Sequence, residues 1–198
     1  MLYYFGKFVV GPFAYLLFRP KVIGIKNLNR RGKVIYVCNH FSLADPVLLA
    51  LVCPRIIRFM ARANLFSSKI GNLFFKSMLV FPVESGTADR KSIKKAIDTL
   101  AKGQAFGIFP EGHRSATGEL DALEKGAAFI ALRCDAPIVP CYIDPNSIKR
   151  VKIRMAVGEP IIAKEVAARN KTVKPAEAVT DALTDSMLSL RELVEAMK

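Results

Sequence analysis

The sequence predicts an α/β protein in which helices flank a layered, mostly parallel or mixed sheet. Short β-rich runs alternate with helical patterns along most of the chain, which is typical of layered α/β domains. The chain has 198 residues and is 52% hydrophobic, enough to bury a substantial core, and its length fits one such domain. No internal repeat or linker in the sequence marks a second domain.

The N-terminal segment has a composition of its own. Its first 18 residues carry seven aromatic side chains and one charge, Lys7. The break at Gly11-Pro12 leaves pieces shorter than the roughly 20 apolar residues of a membrane-spanning helix, and the next bases follow the stretch, unlike those of a secretory signal. We expect residues 1–20 to form a helical interfacial membrane segment and residues 21–198 a single α/β domain. A helix that covers the protein's own core is the alternative.

The elements of the domain follow from local patterns. β-rich runs that end abruptly in polar residues predict strands over residues 33–38, 105–109, 138–143 and 150–157. Apolar residues at helical spacing, or in buried runs, predict helices over residues 46–52, 88–102, 125–134 and 175–198. In the second of these helices the lysines lie away from the apolar stripe, so we expect that helix to pack on a sheet.

The charge is strongly positive and unevenly distributed. Thirty Lys and Arg residues against seventeen Asp and Glu residues give a net charge of +13. Residues 1–62 contain ten bases and one acid, whereas residues 157–198 have a net charge of −1. Basic surface attracts anionic lipid, nucleic acid or phosphorylated small molecules. Because no aromatic-interleaved RNA-binding strand or DNA-reading helix accompanies the charge, we expect no nucleic-acid partner.

The four cysteines are predicted to be reduced core residues of a cytosolic protein. They lack CxxC spacing and lie in apolar runs, at Cys38, Cys53, Cys134 and Cys141. Cys38 lies two residues before a histidine, so a thiol nucleophile stays open as a minor route. The sequence has no zinc-binding, phosphate-loop or dinucleotide fingerprint, and no metal is expected.

Two polar loops are the candidate sites, because ligands of open α/β sheets bind beyond the carboxyl ends of the strands. One loop spans residues 39–46 and the other residues 109–115. If the strands before them are parallel neighbours, both loops open on the same crevice.

The first loop holds His40 and Asp45. Their spacing lets the carboxylate reach one imidazole nitrogen and leaves the other free to take a proton from a hydroxyl. In the alternative interpretation Asp45, which precedes Pro46, only caps the following helix.

The second loop holds Glu111, Gly112 and Arg114. A glycine lets a ligand approach the backbone, and a guanidinium offers a rigid fork for phosphate. A simple turn, with Arg114 paired to Glu111, explains the same residues. Residues 85–90 precede the lysine-rich helix, where a bound anion and a capping turn are equally good explanations.

Together the motifs resemble, in order and spacing, those of the glycerolipid acyltransferases. The most similar group is the 1-acyl-sn-glycerol-3-phosphate acyltransferase family, also called lysophosphatidic acid acyltransferases. The resemblance covers roughly residues 33–143 and rests on four motifs: Asn39-His40-x4-Asp45, Phe81-Pro82-Val83-Glu84-Ser85-Gly86 with Arg90, Phe109-Pro110-Glu111-Gly112-His113-Arg114-Ser115, and Val139-Pro140.

The resemblance implies a glycerol-3-phosphate acyltransferase-like fold and an activity. The enzyme would move a fatty acyl chain from acyl-CoA or acyl carrier protein to the free hydroxyl of 1-acylglycerol-3-phosphate, forming phosphatidic acid for phospholipid biosynthesis. The thioester is a co-substrate, and no cofactor is implied. His40 would be the general base and Asp45 its orienting carboxylate. The protein would lie at an anionic cell membrane, peripheral or monotopic, on the cytoplasmic face.

The resemblance also assigns the remaining site residues. The glycerol phosphate would be bound by Glu111, Gly112 and Arg114, with positive charge added by Arg90 and Lys125, and the acyl or donor side shaped by Val139 and Pro140. The family has Thr at the position of His113 and Arg at that of Ser85, and whether Arg90 replaces the latter stays open. Alternatives are another lysophospholipid or glycerol phosphate acceptor, or a basic nucleic-acid or lipid-surface binding protein.

Overall fold

A single mixed sheet forms the centre of the protein. The computed structural model describes residues 2–83, 90–115 and 119–197. The strands are β1 (Lys21–Ile23), β2 (Val34–Cys38), β3 (Ile57–Arg62), β4 (Val80–Val83), β5 (Ala105–Ile108), β6 (Ile138–Ile143) and β7 (Arg154–Val157). Their order in the sheet is β1-β7-β6-β2-β5-β3-β4. Neighbouring strands are parallel except β6 and β7, which are antiparallel.

Helices surround the sheet. They are α1 (Leu2–Phe5), a π-helical turn (Gly6–Val10), α2 (Gly11–Phe18), α3 (Asp45–Val52), α4 (Lys69–Ser77), α5 (Arg90–Ala101), α6 (Gly126–Cys134), α7 (Ala163–Arg169) and α8 (Pro175–Glu195). Short 3-10 helices span Ile25–Asn29 and Ala63–Phe66.

The central strand β2 builds a core on each face of the sheet. All five of its side chains are buried, and alternate side chains point to opposite faces. Tyr36 belongs to a cluster that includes Leu49 of α3. Ile35 belongs to a second cluster on the other face, which contains residues of α5, α6, α7 and α8. The predicted class, a mostly parallel or mixed sheet flanked by helices, is confirmed.

Most of the predicted elements are present. β2, β5 and β6 lie within one residue of their predicted bounds, and α6 begins one residue later than predicted. The last predicted strand begins only at Arg154, because residues 145–151 form turns. β1, β3, β4, α4 and α7 were not predicted. They are short, and β3 carries Arg58 and Arg62, so its local pattern lacks the apolar run of a buried strand.

The N-terminal segment packs on the face that carries α3. The N–H of Ile57 donates to the hydroxyl of the buried Tyr3 (3.0 Å). Lys7 Nζ donates to the carbonyl oxygens of Ala50 (2.7 Å) and Cys53 (2.5 Å) at the end of α3. This side of the segment therefore covers the core, as the alternative interpretation predicted, while most of its other apolar side chains are exposed. Within the described residues, no helix is both long enough and apolar enough to cross a membrane.

Candidate active site

The two polar loops meet at one edge of the sheet, as predicted. β2 and β5 are parallel neighbours, with Val37 opposite Ile108, so the loops that follow them start side by side. The carbonyl oxygen of His40 accepts the N–H of Ser115 (2.9 Å). In the other direction, the N–H of His40 donates to Glu111 Oε1 (2.8 Å). These two bonds join the loops side by side at this edge of the sheet.

His40 and Asp45 form a pair. His40 Nδ1 lies 3.2 Å from Asp45 Oδ2, and the same oxygen accepts the N–H groups of Phe41 and Ser42, both at 2.7 Å. The capping interpretation of Asp45 is wrong, because α3 has Ala44 at its N-cap and no side-chain cap. The carboxylate turns back into the loop instead.

This geometry leaves one imidazole nitrogen free for chemistry. A proton on Nδ1, donated to the carboxylate, leaves Nε2 as the acceptor. The Asp45 side chain is 5% exposed and that of His40 is 17% exposed, so the imidazole is the more accessible of the two groups. A buried carboxylate behind a partly open imidazole can orient a general base and stabilise its protonated form.

The ring of His40 is also held by aromatic packing. It stacks on the ring of Phe109, with centroids 4.4 Å apart and planes 28° apart, and Phe109 stacks in turn on Phe59 of β3. This contact was not predicted from the sequence, because Phe109 was placed at the end of a strand and at the start of the third motif without a role for its ring. The contact restricts the imidazole to an orientation that faces Asp45.

Asn39 holds the end of β2 in place. Its buried side-chain amide donates to the carbonyl oxygen of Ile143 and accepts the N–H of Ile143, both at 2.8 Å. These side-chain bonds tie the residue after β2 to the last residue of β6, beyond the end of the β2–β6 ladder at Cys38 and Cys141. His40 therefore follows a firmly anchored strand end.

Glu111 is buried and uses both carboxylate oxygens inside the protein. Oε1 accepts the N–H of His40, and Oε2 accepts the N–H of Asp121 (3.3 Å). Burial raises the pKa of the Glu111 carboxyl, while these two N–H donors act in the opposite direction. The geometry favours a residue that positions the His40 loop over one that contacts a ligand. The alternative pairing of Glu111 with Arg114 is not present among the described residues.

The crevice has two cationic side chains beside the Gly112 turn. Arg114 is exposed. Arg62, at the carboxyl end of β3, lies with Nη2 3.5 Å from the carbonyl oxygen of Gly112. Gly112 itself adopts a φ of +70°, a conformation that favours glycine. A role for Arg62 was not predicted from the sequence, because β3 was not predicted. The sequence feature that could have indicated it is a base at the end of a segment in which buried and less buried residues alternate.

The other predicted site residues lie in several environments. Lys125 pairs with Glu177 of α8 at 3.5 Å. Arg90 begins α5, and Ser85 lies with the rest of residues 84–89 outside the described part of the chain. Val139 and Pro140 are buried within β6. Pro140 packs near Gly158 rather than standing free in the crevice.

The four cysteines are free, as predicted. Cys38, Cys53 and Cys141 are buried and Cys134 is half-buried. Burial raises the pKa of the Cys38 thiol well above its usual value. Since the thiolate is the reactive form, this environment opposes a nucleophilic role for Cys38.

Comparisons with known proteins found a family model and several relatives that match this chain. The acyltransferase family model matches residues 19–144. The chain is 32% identical to the 1-acyl-sn-glycerol-3-phosphate acyltransferase of Bacillus subtilis (strain 168), over 89% of this chain and 90% of that protein. It is 30% identical to the protein of that name from Borreliella burgdorferi, over 60% of this chain and 48% of that one.

A solved structure has the same fold. The crystal structure of the 1-acyl-sn-glycerophosphate acyltransferase PlsC from Thermotoga maritima superimposes with a TM-score of 0.68 and 23% sequence identity. The match covers 92% of this chain and 76% of that one.

Proposed function

The chain belongs to the acyltransferase family, and from this premise we propose that it acylates the free hydroxyl of 1-acylglycerol-3-phosphate and so forms phosphatidic acid. The acyl donor is a thioester, either acyl-CoA or acyl carrier protein. The observation that carries the proposal is the His40–Asp45 pair, in which a buried carboxylate lies against Nδ1 of a partly exposed imidazole.

The proposed reaction needs no covalent enzyme intermediate. Nε2 of His40 takes the proton of the acceptor hydroxyl while that oxygen bonds to the thioester carbonyl carbon. Asp45 stabilises the resulting imidazolium. When the tetrahedral intermediate collapses, the carbon–sulfur bond breaks, and the leaving thiolate takes the proton from His40. The ester and the free thiol are released, and His40 returns to its neutral form.

The acceptor phosphate is proposed to bind at the Gly112 turn. Arg62 lies against this turn, and Arg114 follows Gly112 by two residues with an exposed side chain. A guanidinium can bind two phosphate oxygens through parallel N–H bonds. Arg90 remains a third candidate. Lys125 contributes less charge to the phosphate than expected, because Glu177 is its partner.

We also propose a peripheral location at the cytoplasmic face of an anionic membrane. In the N-terminal segment Phe8 is 64% exposed and Phe13 75% exposed, while Leu43 and Val47, which flank Asp45, are 70% and 53% exposed. Exposed apolar side chains on the N-terminal segment and beside Asp45 would let a lysophospholipid enter without leaving the bilayer completely. The proposed division is an interfacial segment of residues 1–20, packed on the α/β domain of residues 21–198.

The activity is tested with purified protein, labelled lysophosphatidic acid and each donor in turn, with products separated by chromatography. We expect labelled phosphatidic acid with at least one donor. Parallel reactions with glycerol 3-phosphate and with lysophosphatidylcholine test the alternative acceptors. Vesicle binding without product formation for any donor and acceptor would instead favour a non-catalytic lipid-surface protein.

Membrane attachment is tested by point variants, because deletion of the segment would also remove the core contacts of Tyr3 and Lys7. Phe5 and Phe8 are 57% and 64% exposed. The variant F5Q/F8Q is expected to bind vesicles roughly tenfold more weakly, because less apolar surface enters the interface. The control L188Q/L193Q changes two half-exposed leucines of α8. Equal losses of vesicle binding in both variants would contradict the proposal that the N-terminal segment faces the membrane.

The role of Glu111 is tested by comparing two substitutions. Glu111→Ala leaves the N–H groups of two half-buried residues, His40 and Asp121, without their acceptor, at a cost of up to about 1–3 kcal/mol each. We expect a lower kcat with little change in the KM for the acceptor, since the His40 loop loses its anchor. Glu111→Gln keeps an oxygen for His40 and should recover much of the rate. A higher KM for the acceptor at unchanged kcat would contradict the positioning role and support a role of Glu111 in substrate binding.

A further inference from the structure

A groove with apolar and basic walls lies at the end of the N-terminal segment. It has a volume of about 540 Å³ and is lined by Phe13, Leu16, Leu17, Arg19, Arg150, Val151 and Lys152. One wall is formed by α2 and Arg19, and the other by the loop between β6 and β7. Because β6 is parallel to β2, this loop leaves the sheet at the same edge as the His40 loop.

The groove joins two strongly basic stretches of sequence. Residues 19–21 and 149–154 together carry six bases and no acid. The N–H of Ile153 donates to the carbonyl oxygen of Phe18 (3.0 Å), and the N–H of Lys21 donates to the carbonyl oxygen of Ile153 (2.8 Å). The fold therefore brings together charges that repel one another, a cost that a bound anion would offset.

Two of the lining cations are free to bind an anion. Arg150 is paired with Asp144 at 2.9 Å. Arg19 and Lys152 have no acidic partner anywhere in the described ranges. Val151, between Arg150 and Lys152, has a φ of 48°. A β-branched residue rarely adopts this conformation, and such strain concentrates at ligand sites.

The opposite wall is apolar and faces solvent. Phe13, Leu16 and Leu17 are 75%, 71% and 62% exposed. A water-soluble anion gains nothing from contact with these side chains, whereas the acyl chains of a lipid would bury apolar surface against them. Cations next to exposed apolar side chains match a ligand with an anionic head and a hydrocarbon tail.

We propose that the groove binds the phosphate headgroup of an anionic bilayer phospholipid between Arg19 and Lys152, with the acyl chains against Phe13, Leu16 and Leu17. The proposal rests on the membrane attachment proposed above and adds a defined lipid site to it. β7 is two strands from β2, roughly 10 Å away in the sheet. A lipid held in the groove would therefore fix the orientation of the nearby catalytic crevice against the membrane.

The first test removes the two unpaired charges. The variant R19Q/K152Q is compared with K171Q/K174Q, which removes two exposed charges near α7 and α8, helices of the opposite face of the sheet. Binding is measured to vesicles of phosphatidylglycerol and phosphatidylcholine in equal amounts, and to vesicles of phosphatidylcholine alone. We expect R19Q/K152Q to lose about thirtyfold in affinity for the anionic vesicles, roughly fivefold for each base. Equal losses in both variants would overturn the site.

The second test distinguishes a lipid from a free anion. Calorimetry measures binding of short-chain dihexanoyl-phosphatidylglycerol, kept below its micelle concentration, and of inorganic phosphate. We expect saturable lipid binding that R19Q/K152Q abolishes. Inorganic phosphate of equal affinity would overturn the lipid occupant, and no saturable binding of either probe would overturn the site itself.

Acyl transfer to a soluble short-chain lysophosphatidic acid separates this proposal from the proposed function. R19Q/K152Q should match the wild-type rate, and its thermal unfolding temperature should be no lower than that of the wild type, because two mutually repelling charges are removed. If the folded variant loses activity, Arg19 and Lys152 act in acyl transfer, and the proposal that the groove is separate from the catalytic site is overturned. If the wild-type protein transfers no acyl chain, the proposed function is contradicted. The calorimetric measurement with the short-chain lipid would still show whether the groove binds phospholipid.

Discussion

In a His40→Ala variant, acyl transfer to lysophosphatidic acid is expected to fall by about 10²- to 10⁴-fold, the usual contribution of a positioned general base. The substitution removes the proton acceptor but keeps the backbone bonds of residue 40 to Glu111 and Ser115. We therefore expect kcat to fall while the circular dichroism spectrum and the thermal unfolding transition stay near those of the wild type.

The chain offers a matched control, because it contains only two histidines. His113 lies in the neighbouring loop with its side chain 56% exposed, and its Nδ1 is 3.7 Å from Asp121 Oδ2. His113→Ala should keep most of the activity. Turnover at the wild-type rate in His40→Ala would reject the assignment of the general base, and equal losses in both variants would point to the loop rather than to the imidazole.

Asp45→Asn is expected to lower kcat by about 10²-fold or more. Asp45 Oδ2 lies within hydrogen-bond distance of His40 Nδ1 and accepts the N–H groups of Phe41 and Ser42. An amide keeps one acceptor oxygen for the loop, but it lacks the negative charge that stabilises the imidazolium and favours the required tautomer. The loss of rate should therefore exceed the loss of stability.

Two measurements separate these roles of Asp45. Nitrogen-15 NMR of the imidazole ring should show the Nδ1–H tautomer of His40 in the wild type and a shift away from it in Asp45→Asn, with His113→Ala used for the assignment. Unfolding in urea reports stability. An active Asp45→Asn with unchanged imidazole signals would reduce Asp45 to a residue that only shapes the loop.

Local sequence patterns were sufficient for the central strands, whereas the pairing of His40 with Asp45 was favoured over a capping role only by the resemblance of the four motifs. β2, β5 and β6 are buried on both faces, so their residues form apolar, β-rich runs that can be recognised without neighbours. The polar residues after these runs mark the strand ends. His40 and Asp45 are five residues apart in one loop, so their contact does not depend on which strands become neighbours.

Contacts between distant parts of the chain required the folded protein. The bond from His40 to Glu111 joins residues 71 apart in sequence, and that from Arg62 to Gly112 joins residues 50 apart. Neither the partner of the Glu111 carboxylate nor the sheet edge at which Arg62 lies follows from local pattern. Both depend on which strands become neighbours, and that order is set by the simultaneous burial of apolar faces from the whole chain.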